Sequence, residues 1–449
     1  MASAAEQLAA NLNFGAFQKA TELQKRIGFT LIALVIYRLG TYIPVPGIDP
    51  VKFAASFAGQ SQGIVGMFNM FSGGAVERMA IFALNVMPYI SASIIVQLLG
   101  TVYPPWEKLK KEGGEAGRKT LNQYTRYLTV VLALVQAASI AFGMISQGVV
   151  LPGIPPLFFA ASTIVTLTGG TLFLMWLGEQ ITSRGVGNGI SLIIFAGIVA
   201  VLPRSIWQLL QQAQVGSVQT WQIFALGFVA IAVVLFIVFM ERSQRRLLIQ
   251  YPKQQRGNRM VGGESSFLPL KINTSGVIPP IFASSLLLLP MTAASFMNPA
   301  TTPGWLQWML TALQHGQPLF MLFYGGLIIF FCFFYTSVVF NPDDTAENLR
   351  KYGGFLPGIR PGKRTAEYLD FVLTRLTVIG AAYIAAVCLL PEFMVSVMNA
   401  PASARALGGT SILIVVSVTM DTVAQIQSHL LAHQYEGLIK KSKLRGGRK

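Results

Sequence analysis

Charged residues make up only 12% of this 449-residue chain, while 53% are hydrophobic and the mean hydropathy is +0.56. Soluble proteins carry roughly a quarter charged residues, so the shortage argues against a water-exposed fold. Cysteine is nearly missing as well. Cys332 and Cys388 both lie in apolar runs, where they read as small buried hydrophobes, and no disulfide framework is expected. Histidine is limited to His315, His429 and His433. The last two have the four-residue spacing of a ligand pair on a helix, but no third ligand accompanies them and no metal is expected. The same scarcity leaves no Ser/His or paired-Asp arrangement for hydrolysis inside a bundle. No P-loop occurs, and Gly185-Val186-Gly187-Asn188-Gly189 follows a helix rather than a strand, so it is not a dinucleotide fingerprint. Neither an enzyme nor a cofactor is expected.

What the chain does contain is a series of apolar runs, near 27–43, 79–101, 124–145, 158–180, 187–202, 222–240, 273–297, 317–340, 374–395 and 408–431. Each is about as long as a helix must be to cross a hydrocarbon core of roughly 30 Å. Residues 1–26 form a polar leading segment, and the run that follows has no small-residue cleavage site, so it reads as a retained first span. Five spans precede a connection at 203–221 and five follow it, within 27–202 and 222–431. An odd number per half turns the second half upside down relative to the first, an inverted repeat.

Basic residues are distributed unevenly. With the N-terminus in the cytoplasm, the inside segments collect every Lys and Arg except Arg38 in the first span and Lys52, Arg78, Arg204 and Arg405 opposite. This positive-inside asymmetry puts both termini, including the basic tail 432–449, in the cytoplasm, and it accounts for the net charge of +16 without DNA. Two inside loops, 241–272 and 341–375, are too long for simple connections and read as docking elements or as binders of anionic lipid headgroups.

A coupled transporter needs ionisable groups at mid-membrane. Arg38 and Glu179 lie toward span ends, and Asp421 is the one acid well inside a run. A secondary solute transporter with inverted repeats is the alternative reading, and it predicts a polar midplane site. Residues 63–74 (GIVGMFNMFSGG) are too short to span and too apolar for a free loop, so they read as a re-entrant segment, a turn or an interfacial helix.

That run continues into FALNVMPYISASI at 82–94 and closely resembles the SecY family. The resemblance extends through GGEAGRKTLNQYTRY (113–127), FLMWLGEQITSRGVGNGISLIIFA (173–196), GVIPPIFASS (276–285), FFCFFYTSVVFNP (330–342), PGIRPG (357–362) and GGTSILIVV (408–416), in the family's order. It implies an all-α inner-membrane protein of ten transmembrane helices, in two inverted five-helix halves around an hourglass pore that conducts secretory polypeptides and releases membrane segments into lipid.

The resemblance also assigns residues. The pore ring would be Val86, Ile90, Ile190, Ile194, Ile281 and Ile414, a narrow apolar neck that resists wetting. The plug would be 63–74, with Gly63, Ile64, Met67, Phe68, Asn69, Met70, Phe71, Gly73 and Gly74. Ser91, Gln97, Asn273 and Thr274 would line a lateral gate between the second and seventh spans. Arg245, Arg246, Arg256, Arg259, Arg360 and Pro361 would dock the ribosome and the SecA motor, and SecE and SecG subunits would complete the channel. Pro280 beside Ile281 departs from the family and is expected to double a proline break there.

Overall fold

The computed structural model describes residues 20–53, 57, 64–111, 113–215, 220–251, 254–256, 259–261, 265–295, 304, 308, 312, 317–398 and 408–446. Its elements are helices α1 (Thr21–Gly40), α2 (Ile64–Phe71), α3 (Met87–Val102), α4 (Pro104–Lys111), α5 (Gly114–Ser146), α6 (Pro156–Arg184), α7 (Gly189–Gln214) and α8 (Thr220–Arg242). Strands β1 (Gln244–Gln250), β2 (Gln254–Arg256), β3 (Arg259–Val261) and β4 (Ser265–Lys271) follow. Helices α9 (Ile278–Ser295), α10 (Pro318–Val339), α11 (Pro342–Lys351), α12 (Lys363–Met398) and α13 (Gly409–Gly446) complete the chain. Each of the ten expected spans falls on a helix. Among the described residues seven helices are long and apolar enough to cross a membrane, and Met87–Val102 and Ile278–Leu287 are shorter apolar helices. The protein is a multi-pass membrane protein.

The chain divides into two compact units, one of residues 1–205, 289–303 and 418–449, the other of 206–288 and 304–417. In the first, α5 packs on α3 and α6, and α1 on α6. The α5 seam is Thr125, Thr129, Ala133, Ala137 and Ala141, all buried at four-residue spacing, and such small side chains let helix backbones approach closely. Its other face presents Tyr127, Val131, Val135 and Phe142 outward. Large apolar side chains exposed in rows, as also on α8 from Phe224 to Phe239, need lipid rather than water around them.

In the second unit α10 and α11 pack on α12, and β1 pairs antiparallel with β4 from Gln244↔Lys271 to Gln250↔Ser265. The hairpin is fastened to the turn after α11 by reciprocal bonds between Gln250 and Phe355, at 2.9 and 3.0 Å. Beneath it Leu247, Ile249, Leu270, Ala346, Leu356, Leu369 and Leu373 form one buried apolar cluster. Leu369 is fully buried, so Leu369→Ala is expected to cost about 2–5 kcal/mol, read as a lowered thermal unfolding midpoint of the purified protein.

Several expectations are corrected. Residues 72–86 are turns rather than the start of the second span, and the helix begins only at Met87. The supposed loop 341–375 is largely helical: Asn341 caps α11 by accepting from Asp343 N, Asp343 and Asp344 occupy its positive end, and Arg350 and Lys351 its negative end. The other supposed loop, 241–272, contains hairpin strands. The connection at 203–221 is helical as far as Gln214, with Pro203 inside α7. Pro279 and Pro280 lie in the first turn of α9, where backbone N–H groups have no intrahelical acceptor, so they start the helix rather than break it.

Candidate functional site

The short apolar segment is a real helix with buried Phe68, Met70 and Phe71; Gly63 lies outside the described residues. Its C-terminal end is tied down by polar groups. Asn85 Nδ2 donates to the Phe71 carbonyl at 2.7 Å, and Asn69 Oδ1 accepts from Glu77 N at 2.9 Å. Arg38 of α1 donates to the Gly73 carbonyl at 2.6 Å through Nη1 and to Tyr42 Oη at 2.8 Å through Nη2. Arg78 also reaches the Gly73 carbonyl, at 3.3 Å, and donates to Gly74 O at 3.2 Å, with its guanidinium 4.1 Å from the Tyr42 ring centroid. Burial holds the Arg78 guanidinium below its ordinary value, with Tyr42 opposing and Arg38 adding to the effect. Glu77 takes both terminal nitrogens of Arg204, at 3.1 and 3.0 Å. A short apolar helix needs such partners, because eight residues do not hold a helix in place alone.

The next connection, between α6 and α7, shows what the GVGNG sequence does. Val186 N donates to Thr30 Oγ1, Gly187 N to Gln425 Oε1 and Gly189 N to Thr182 Oγ1, while Asn188 Oδ1 accepts from Ile190 N and caps α7. The run is a tight turn, bonded through the amides of Gly185, Val186, Gly187 and Gly189, that starts α7. It thereby fixes Ile190, half-buried, and Ile194, buried, in the first two turns.

The other expected ring members lie in like positions. Val86 caps α3 and Ile90 is one turn in, Ile281 is in the first turn of α9, and Ile414 is in the second turn of α13. All four are buried. The buried hydroxyls of Ser284 and Ser285 are satisfied by the Ile281 carbonyl, so the polar atoms beside that side chain are spent locally.

The expected gate residues also have local partners. Gln97 Nε2 donates to Ser93 Oγ, Asn273 Nδ2 to Glu241 Oε1 at 2.6 Å and to Gly276 O, and Thr274 Oγ1 to Lys271 O; Ser91 is buried. The residues expected to dock partners lie on the hairpins and on the turn before α12. Arg245 and Arg246 lie exposed on β1, Arg256 and Arg259 face each other across the β2–β3 register, and Arg360 and Pro361 are exposed in the turn before α12. β1, β4 and the segments flanking that turn pack on one apolar cluster, so two stretches far apart in sequence form one platform.

Of the ionisable residues weighed for a transporter, Arg38 and Glu179 have local partners. Glu179 accepts from Nε and Nη2 of Arg126, at 3.0 and 2.8 Å, Arg38 holds Gly73, and Asp421 is exposed on α13. His429 is exposed, and among the described residues no group of three His, Cys, Asp or Glu could hold a metal. The ties made by Glu77 and Asn85, and the bond from Glu77 N to the expected plug residue Asn69, are not legible in the sequence, since an isolated Asn or Glu carries no periodic signal.

A family model described as SecY matches residues 80–423. Relatives named protein translocase subunit SecY include that of Pseudomonas aeruginosa, 53% identical over 95% of each chain, and that of Escherichia coli K12, 51% identical over 95% of this chain and 96% of its own. Among solved structures, one described as the structure of a protein conducting channel is similar with a TM-score of 0.66 at 19% identity, covering 91% of this chain and 92% of its own. Sec61 in a canine ribosome–channel complex from the endoplasmic reticulum is similar with a TM-score of 0.62, again at 19% identity and with the same coverage. At that identity the structural likeness is one of fold. The chain belongs to the SecY family.

Proposed function

We propose that this protein is the channel subunit of a protein translocase, conducting unfolded secretory polypeptides across the inner membrane and releasing membrane segments laterally into lipid. The observation that carries the reading is the set of buried aliphatic side chains at helix starts, Val86, Ile90, Ile194, Ile281 and Ile414, in a chain whose relatives are named translocase subunits. A neck of such side chains binds no passing segment strongly and resists wetting, so it retains ions while it yields to a polypeptide. The solute-transporter alternative is not favoured, because Arg38 and Glu179 are committed to local partners.

Helix α2 serves as the plug on the outer side, and Ser91, Gln97, Asn273 and Thr274 as the polar lining of the lateral gate. Both termini lie in the cytoplasm, where the platform of Arg245, Arg246, Arg256, Arg259, Arg360 and Pro361 meets the ribosome or the SecA motor. Arg forks suit both RNA phosphate and acidic protein surfaces. SecE and SecG complete the assembly, and the energy comes from the partners.

Replacing Ile194 and Ile281 with Asn is expected to wet the neck, raising ion leak across reconstituted vesicles and admitting substrates with defective signal sequences. An unchanged seal and unchanged fidelity would count against the assignment. Crosslinking of a stalled secretory chain to Ile90 or Ile281 in cells tests the path directly.

A further inference from the structure

The turns between α2 and α3 contain more left-handed backbone than a simple connection needs. Gly73 and Gly74 have φ of +69° and +82°, and Met79 and Asn85 have φ of +42° and +49°. Left-handed backbone is strained for a side chain as large as methionine and tolerated by asparagine. A structure holds such positions only where surrounding contacts determine them, and here the contacts sort into two sets. One grips Gly73: its carbonyl accepts from both Arg38 and Arg78, and the ion pair Glu77–Arg204 fastens the following turn to α7. The other grips α2 itself, through Asn85 Nδ2 on the Phe71 carbonyl and Asn69 Oδ1 on Glu77 N.

The first set is charge-assisted and doubled. The second consists of single neutral hydrogen bonds, the weaker kind. Asn85 is 1% exposed, and its Oδ1 has no hydrogen-bond partner, so the side chain is kept at the cost of an unsatisfied buried acceptor. Glycine would supply the same backbone angle without that cost. The bond to Phe71 is the one described hydrogen bond the side chain makes.

We propose that Asn85 is a latch and the Gly73–Gly74 pair a pivot: the arginines hold the pivot still, and α2 leaves its seat by breaking the buried Asn85–Phe71 bond, and with it the Asn69–Glu77 bond, while residues 75–86 stay in place. The proposal rests on the reading of α2 as the plug. Asn85 is a positioning residue, and its strength sets how often the seat is vacated without a substrate.

The test uses the full chain with its co-purified subunits in vesicles, read by amide hydrogen exchange and by ion leak. Asn85→Gly keeps the left-handed angle and removes only the latch, and it is expected to speed exchange of the amides at 67–72 by about three- to tenfold, the worth of one neutral hydrogen bond. Amides at 78–86 keep wild-type rates, the Glu77 amide follows α2 because Asn69 Oδ1 is its acceptor, and ion leak rises. Arg38→Gln is expected to speed exchange at 73–80 instead. Unchanged exchange at 67–72 in Asn85→Gly, or equal acceleration across 67–86, overturns the latch. A chain lacking 64–71 separates the two readings: if it leaks no more than wild type while Asn85→Gly still speeds exchange of α2 alone, the plug assignment fails and the latch geometry stands.

Discussion

Arg360→Glu is expected to reduce partner-driven export by about a hundredfold or more, while the protein still inserts and folds. If Arg360 pairs with an acidic or phosphate group of a docked partner, as proposed, charge reversal there removes an attraction and adds a repulsion, and disrupting such pairs costs roughly 2–5 kcal/mol. The fold does not depend on the side chain. Arg360 is exposed, and its contribution to local structure is a carbonyl that accepts from Thr365 Oγ1 at 3.0 Å. The platform beneath is held by Leu247, Ile249, Leu270, Leu356 and Leu369, none of which the substitution touches. Export measured in cells, alongside membrane abundance and an unfolding midpoint, separates the two. Normal export with Arg360→Glu present at wild-type level would remove the platform from the docking role.

The contrast with Leu369→Ala shows why the platform was only half legible in the sequence. Basic residues in long inside segments announce a surface, but Leu247, Ile249, Leu356 and Leu369 lie more than a hundred residues apart at their extremes, and their meeting is a tertiary event that periodicity does not report. Helix α11 was readable in principle. Asn341 and Pro342 open it, two acids follow, and Arg350 and Lys351 close it, a full set of start and stop signals. Hydropathy does not report such signals in a polar segment, and it does not separate 79–86 from helix, because FALNV is as apolar as a span. What ends that run early is conformational: Met79 and Asn85 stand in left-handed backbone, which no hydropathy window sees. Long spans such as α5, α6 and α8 were legible because lipid imposes one requirement on twenty residues together. The ties around α2 were not, because Arg38, Asn69, Glu77, Asn85 and Arg204 act singly, and their partners are mostly backbone atoms or come from other elements.

The second large effect is expected at Gly197, in the middle of α7. A Cβ placed there would collide with the Phe71 carbonyl oxygen and stand 3.0 Å from Tyr37 Oη and 3.2 Å from Gly73 N. Reciprocally, a Cβ on Gly73 would stand 3.2 Å from Gly197 Cα, so the end of α2 and the wall of α7 meet backbone to backbone. Backbone atoms cannot swing aside as a long side chain does. Gly197→Val therefore has to lift Phe71 and Gly73 off α7, which strains the Asn85 and Arg38 bonds together rather than one of them. Protection of the α2 amides should be lost and ion leak should exceed that of Asn85→Gly, by about tenfold where the two hydrogen bonds fail jointly. Gly197→Ala, with one methyl in place of a branched side chain, should fall between them. Gly197→Val leaves the buried side chains of Ile193, Ile194 and Ile198 unaltered on α7, so the unfolding midpoint is expected to move less than the leak does. An intact seal with α2 still protected in Gly197→Val would mean that the helix does not close the channel from this seat, and the waist side chains alone would then carry the seal.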